Sequence, residues 1–141
     1  MKKQGFTLIE LMVVIVIMGI LAAVAVPKLF AMIAKSKASE AGPAAGSYVH
    51  MQDAYFVDQQ QVGNWNAIGY TAPSSSNFKY EGKDATSGKT WTATAKFNTD
   101  GKCTSDEWSI TVNPTSKSIS YTASDNCPAL TPNFKSIGSS S

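Results

Sequence analysis

Apolar residues fill positions 6–26 almost without a break, recur at helical spacing from 27 to about 58, and alternate with polar ones beyond 90. Each rhythm predicts a different element. Wound as a helix at 1.5 Å per residue, the unbroken run would be roughly 31 Å long. The hydrocarbon core of a bilayer is about 30 Å thick, so one helix over residues 6–26 has the length of a membrane span. Gly19 is the one residue of low helix propensity in its middle, and a single glycine is tolerated in lipid.

Past Pro27 the run changes character. Lys28, Lys35, Lys37 and Glu40 interleave with Leu29, Ile33, Tyr48, Val49, Tyr55 and Phe56. Tyr48, Gln52 and Tyr55, with Val49 and Phe56 alongside, make a stripe that can face a sheet. One long helix over residues 6–58 follows. Its expected interruptions are Pro27 and the Gly42-Pro43 pair, since each proline removes a backbone donor and kinks or locally melts a helix. No sharp stop marks Gln59-Gln60-Gln61, and Val62-Gly63-Asn64 opens a loop.

The remainder reads as strands and turns. Trp91, Ala93, Ala95 and Phe97 alternate on one face, then Asn98-Thr99-Asp100-Gly101 turns the chain. Trp108, Ile110 and Val112 alternate next, and after Asn113-Pro114-Thr115-Ser116 come Ile119 and Tyr121. Three short antiparallel strands with one apolar face need a cover, and the amphipathic half of the helix supplies it. Residues 69–77 read as surface connection, and Gly138-Ser139-Ser140-Ser141 as a tail expected to be mobile. The fold class is α+β: a long hydrophobic N-terminal helix whose C-terminal half packs on a small antiparallel sheet. The plan is a short basic segment at 1–5, the helix at 6–58 and a β domain at 59–141.

Charge sharpens this plan. Lys2 and Lys3 precede the apolar run without a flanking acid, a bias that keeps the N-terminus cytoplasmic and sends the rest outward. These two lysines supply all of the formal charge of +2. Without them the chain is formally neutral, which removes a brake on self-association and argues against a general nucleic-acid binder. The pair Cys103 and Cys127 then lies in an oxidising compartment, where a disulfide is the default. Closing a loop of that length is worth about 3–3.5 kcal/mol in the chain-entropy model.

One residue is at odds with a plain anchor. Glu10 puts a carboxylate inside the apolar run, at a cost of roughly 2.5–3.5 kcal/mol at the bilayer centre, so it marks a function. An ordinary secretory signal cut after Ala23-Val24-Ala25 explains neither Glu10 nor the length of the run.

The sequence Met1-Lys2-Lys3-Gln4-Gly5, followed by Phe6-Thr7-Leu8-Ile9-Glu10 and the apolar run to Pro27, resembles the N-terminus of type IV pilins and the related pseudopilins. The likeness covers about thirty residues: a short basic leader, a Gly-Phe junction, a glutamate soon after it, and a proline closing the run. It implies cleavage between Gly5 and Phe6 by a membrane prepilin peptidase, N-methylation of Phe6 by the same type of enzyme, and polymerisation into a filament. It implies that Glu10 pairs with Phe6 of an adjacent subunit to set register, and that the helix loosens at Pro27 inside the filament. The implied partners are further copies of the chain, the peptidase/N-methyltransferase, the membrane before assembly, and an inner-membrane assembly machinery. The implied locations are the inner membrane for the precursor and an extracellular pilus for the product, with adhesion and motility among the family's uses.

Catalytic chemistry has no carrier here. His50 is the only histidine, and with Asp53 and Asp58 it makes no trusted ligand spacing. Asp100, Asp106 and Glu107 lack the dense oxygen ligands of a calcium loop. No enzyme activity, cofactor or metal is expected. Three functions are weighed: a structural pilus subunit, a pseudopilin of a type II protein-secretion machine, and a secreted, unassembled binding domain. The two cysteines near the C-terminus and the missing acidic loop favour the pilus subunit. The few aromatics of the helix (Phe6, Phe30, Tyr48, Tyr55, Phe56) lend little support to electron conduction.

Overall fold

The computed structural model describes residues 5, 7–82 and 85–138. The chain divides into two compact units, residues 1–33 and 34–141.

The first unit is helical from Leu8 onward. Helix α1 spans Leu8–Ala38, so its last turn belongs to the second unit. Every side chain from 8 to 30 is exposed. Pro27 lies inside α1 and the helix continues across it. The expected interruption at Pro27 is therefore absent in the single chain. A lone proline removes only the bond to the carbonyl four residues back, here Ala23, and the apolar residues around it remain good helix formers.

In the second unit, helix α2 covers Ala41–Gln59. The break between the helices falls at Ser39–Glu40, just before the expected Gly42-Pro43, and Pro43 sits in the first turn of α2. The displacement has a simple cause: the residue that loses its partner to a proline is four positions back. For Pro43 that residue is Ser39. A proline in a first turn costs little, since those amides have no intrahelical acceptor.

Helix α2 ends where Gln60 turns left-handed, φ 56°, its amide bonding to the Phe56 carbonyl. A one-turn helix α3, Trp65–Ile68, follows, capped by the Asn64 side chain. Four strands then form an antiparallel meander in the order β1-β2-β3-β4: Phe78–Glu81, Gly88–Ala95, Glu107–Pro114 and Ile119–Ala123. A 3₁₀ turn at Phe134–Ser136 closes the described chain. Strand β1 adds a fourth strand to the three expected. It pairs Phe78 with Ala95 and Tyr80 with Ala93.

The sheet's inner face carries Trp91, Ala93, Trp108, Ile110, Val112 and Tyr121, all buried. Register shifts between Lys89 and Trp91, which turns both Thr90 and Trp91 inward. Against this face lie Ala34, Ala38, Ala41 and Ala45, small residues at three- and four-residue spacing, and then Tyr48 and Val49, with Gln52 and Phe56 also buried on α2. The tapering from alanine to aromatic lets the helices approach closely at one end and fill space at the other.

The buried polar groups are paired. Gln52 is fully buried; its Nε2 donates to the Gly63 carbonyl at 2.8 Å and the Tyr48 hydroxyl at 3.0 Å, and its Oε1 accepts from Gly63 N at 2.9 Å. Tyr48 donates to Thr90 Oγ1 at 2.5 Å. Trp91 Nε1 donates to the Tyr70 hydroxyl, which donates to the Ala44 carbonyl. Gly63 is required here, since a Cβ would stand 2.8 Å from the Tyr55 ring and 2.9 Å from Ile68.

Candidate functional site

The N-terminal turn of α1 is built from Thr7 upward. Thr7 Oγ1 accepts from the Glu10 amide at 3.2 Å, and the Thr7 carbonyl accepts from the Leu11 amide at 3.2 Å. Thr7 is thus the N-cap, and Glu10 is the third helical residue. The Thr-x-x-Glu spacing before an apolar run is a capping-box signature, a local signal present in the sequence itself. Its place in the first turn puts the carboxylate at the positive end of the helix dipole. The Glu10 carboxylate takes no hydrogen bond or ion pair from the described residues. Gly5, exposed, precedes this turn, while Phe6 and residues 1–4 lie outside the described residues.

The helix beyond is uniformly apolar and uncovered. Leu8–Gln59 contains the stretch that is long and apolar enough to cross a membrane. Gly19, Ala22 and Ala23 leave shallow notches in it, of the kind that allow a second helix to come near.

At the start of α2, Glu40 is held from several sides. Tyr80 donates its hydroxyl to Oε1 at 2.7 Å and Asn77 donates its amide to Oε2 at 3.4 Å. Burial alone would raise the carboxyl pKa, but the bonds from Ser75, Tyr80 and Asn77 outweigh it and hold it below its ordinary value. Burial, then the bond to Glu40, push the Tyr80 hydroxyl far up. The helix break is thereby tied to β1 and to the loop before it.

Cys103 and Cys127 form a disulfide with Cα atoms 4.3 Å apart. It joins the β2–β3 connection to the segment after β4, where Thr104 also takes the Asn126 carbonyl at 2.8 Å. The acids nearby have other occupations: Asp106 accepts from Thr99 Oγ1 at 2.9 Å, and Glu107 pairs with Lys89 at 2.9 Å. Among the described residues no group of three or more His, Cys, Asp or Glu is placed to hold a metal. His50 is exposed on α2, one turn before Asp53.

Comparison with known proteins bears on the same N-terminal segment. Residues 1–26 match the family described as prokaryotic N-terminal methylation motif. The chain is 36% identical over 80 residues to the type IV major pilin protein PilA of Myxococcus xanthus, covering 56% of this chain and 36% of that protein. It is 46% identical over 65 residues to the fimbrial protein EcpC of Eikenella corrodens, covering 46% of this chain and 40% of that protein. It is 38% identical over 81 residues to a fimbrial protein of Neisseria meningitidis, covering 57% of this chain and 46% of that protein. The chain thus spans less than half the length of each of these relatives.

Proposed function

We propose that this chain is a type IV pilin, a structural subunit that polymerises into a surface filament after leader cleavage; its N-terminal methylation motif and its pilin and fimbrial relatives support the reading. The observation that carries the reading is a helix whose side chains from 8 to 30 are all exposed and apolar save Glu10 and Lys28. Such a surface needs cover. In the precursor the bilayer supplies it, with Lys2 and Lys3 on the cytoplasmic side. In the filament other copies of α1 supply it, through packing along residues 8–26 with close approach at Gly19, Ala22 and Ala23.

Cleavage between Gly5 and Phe6 creates a new amine, four residues before Glu10. The peptidase methylates it, and the amine stays cationic. Phe6 of one copy then pairs with Glu10 of its neighbour in the water-poor filament core. A charge left unpaired there costs several kcal/mol, so the pair selects one axial position while the apolar contacts supply cohesion. Near-neutral charge in the processed chain lets copies crowd together. At Pro27 the helix has already lost one bond, and there it loosens in the packed filament.

The names of the relatives, pilin and fimbrial protein, favour a pilus over the shorter pseudopilus that shares this N-terminus. The test replaces Glu10 by Val as the sole subunit. The variant is expected to be cleaved and to accumulate in the membrane without filaments by electron microscopy. Normal numbers of full-length filaments would mean that apolar packing alone sets register.

A further inference from the structure

A second site stands apart from the N-terminal turn. Between α2, β4 and the last described residues lies an open pocket of about 470 Å³, lined by Val49, His50, Asp53, Ile119, Tyr121 and Ile137. That volume is within the range of small-ligand clefts. Its walls are aliphatic and its polar groups converge. Tyr121 donates its hydroxyl to Asp53 Oδ1 at 2.6 Å, with the Val49 carbonyl as a second acceptor at 3.4 Å. Burial, then the bond to Asp53, raise the Tyr121 hydroxyl far above its ordinary value, so it stays a neutral donor. Tyr121 thus fixes the carboxylate but uses only one of its oxygens. Oδ2 has no partner among the described residues, and neither has the His50 imidazole. Gly138 closes the rim with φ +75°; a Cβ there would stand 2.8 Å from Tyr121 Cβ.

We infer that this pocket binds a primary ammonium group on an aliphatic stem, supplied in the filament by a lysine of a second copy. Among the described residues Asp53 is the one carboxylate lining it, and no lysine does. An anion is repelled, and a neutral hydroxyl leaves the carboxylate's charge unmatched. An ammonium donates to Oδ2 in a charge-assisted bond, while its methylenes lie along Val49, Ile119 and Ile137. The chain contains lysine and no arginine. Lys79, Lys89 and Lys135 already have carboxylate partners, whereas Lys28, Lys35, Lys37, Lys96, Lys102 and Lys117 have none within 4.0 Å among the described residues. The choice of a second copy as the source rests on the filament reading; the pocket's chemistry does not.

Two arms test this. In the first, the full chain in detergent micelles is titrated with pentane-1,5-diamine, following the methyl resonances of Val49, Ile119 and Ile137. Saturable shifts are expected. They should weaken about tenfold or more in Asp53→Asn, which keeps the Tyr121 acceptor, in line with loss of a charge-assisted bond. They should also vanish in Ile137→Lys, which places a competing amine at the rim. Absence of saturation, equal response in Asp53→Asn, or equal response to pentane-1,5-diol would overturn the site. In the second arm, surface filaments are treated with a zero-length carbodiimide. A dimer joined through Asp53 and a lysine is expected, and it should be lost in Asp53→Asn. Diamine binding without that dimer refutes the lysine source and leaves the amine pocket standing. If no filaments exist the filament reading fails with the lysine source, and the micelle titration still decides the pocket.

Discussion

Replacing Gln52 by Leu should destabilise the second unit by about 2–4 kcal/mol, although leucine is apolar and close in size. Gln52 satisfies both the amide and the carbonyl of Gly63 and takes up the Tyr48 hydroxyl. Leucine offers none of these bonds. Two backbone groups of a buried glycine are left without partners, at roughly 1–3 kcal/mol each. Tyr48 keeps its bond to Thr90 and adds little. The burial gained by leucine offsets part of the loss. For a unit of this size 1 kcal/mol lowers Tm by about 4 °C, so a drop of about 8–16 °C is expected. The assay is thermal unfolding of the full chain in detergent, followed by tryptophan emission; Trp65, Trp91 and Trp108 all lie in this unit and are buried. A Tm within about 2 °C of wild type would show that water reaches Gly63 and that the network adds nothing.

Three further outcomes are expected. Cys103→Ser should lower stability by about 3 kcal/mol through the reopened loop and reduce filament yield; full free-thiol labelling of native wild-type filaments would contradict the bond. Gly5→Val should leave an uncleaved precursor in the membrane, read by gel mobility and N-terminal sequencing, because a branched side chain obstructs a protease that grips extended backbone. Glu40, whose carboxyl is held below its ordinary value in the folded state, stabilises the fold at pH above the ordinary carboxylate range, and this is lost as pH falls through the lowered value; Glu40→Gln should flatten that part of a pH–Tm curve, and an unchanged acid limb would refute the role.

Much of this architecture was legible because it is written in periodicity. The apolar run, the stripe from Tyr48 to Phe56 and the alternation around Trp91, Trp108 and Tyr121 each follow from the period of one element. What escaped was either too short or too distant in sequence. Strand β1 has four residues, Phe-Lys-Tyr-Glu, too few to declare a rhythm. The Gln60 C-cap is left-handed without a glycine to announce it. The break at Ser39–Glu40 shows in the sequence only as Pro43, four residues on. Glu40 meets Tyr80 across 40 positions, and Asp53 meets Tyr121 across 68; no local pattern encodes either pair. The Thr7 cap is the opposite case, a local signal plainly present in Thr-Leu-Ile-Glu. Glu10 stands out because it violates the apolar pattern around it, the kind of local inconsistency at which a function is sought.

The central claim is that the chain is cut at Gly5, methylated and built into a fibre. Intact-mass and N-terminal analysis of the subunit in filaments sheared from the cell surface tests it most directly. The account predicts a chain beginning at Phe6 and carrying one methyl group on its amine. A surface or secreted chain that begins at Val26, or a chain that retains residues 1–5 and forms no filament, would contradict it.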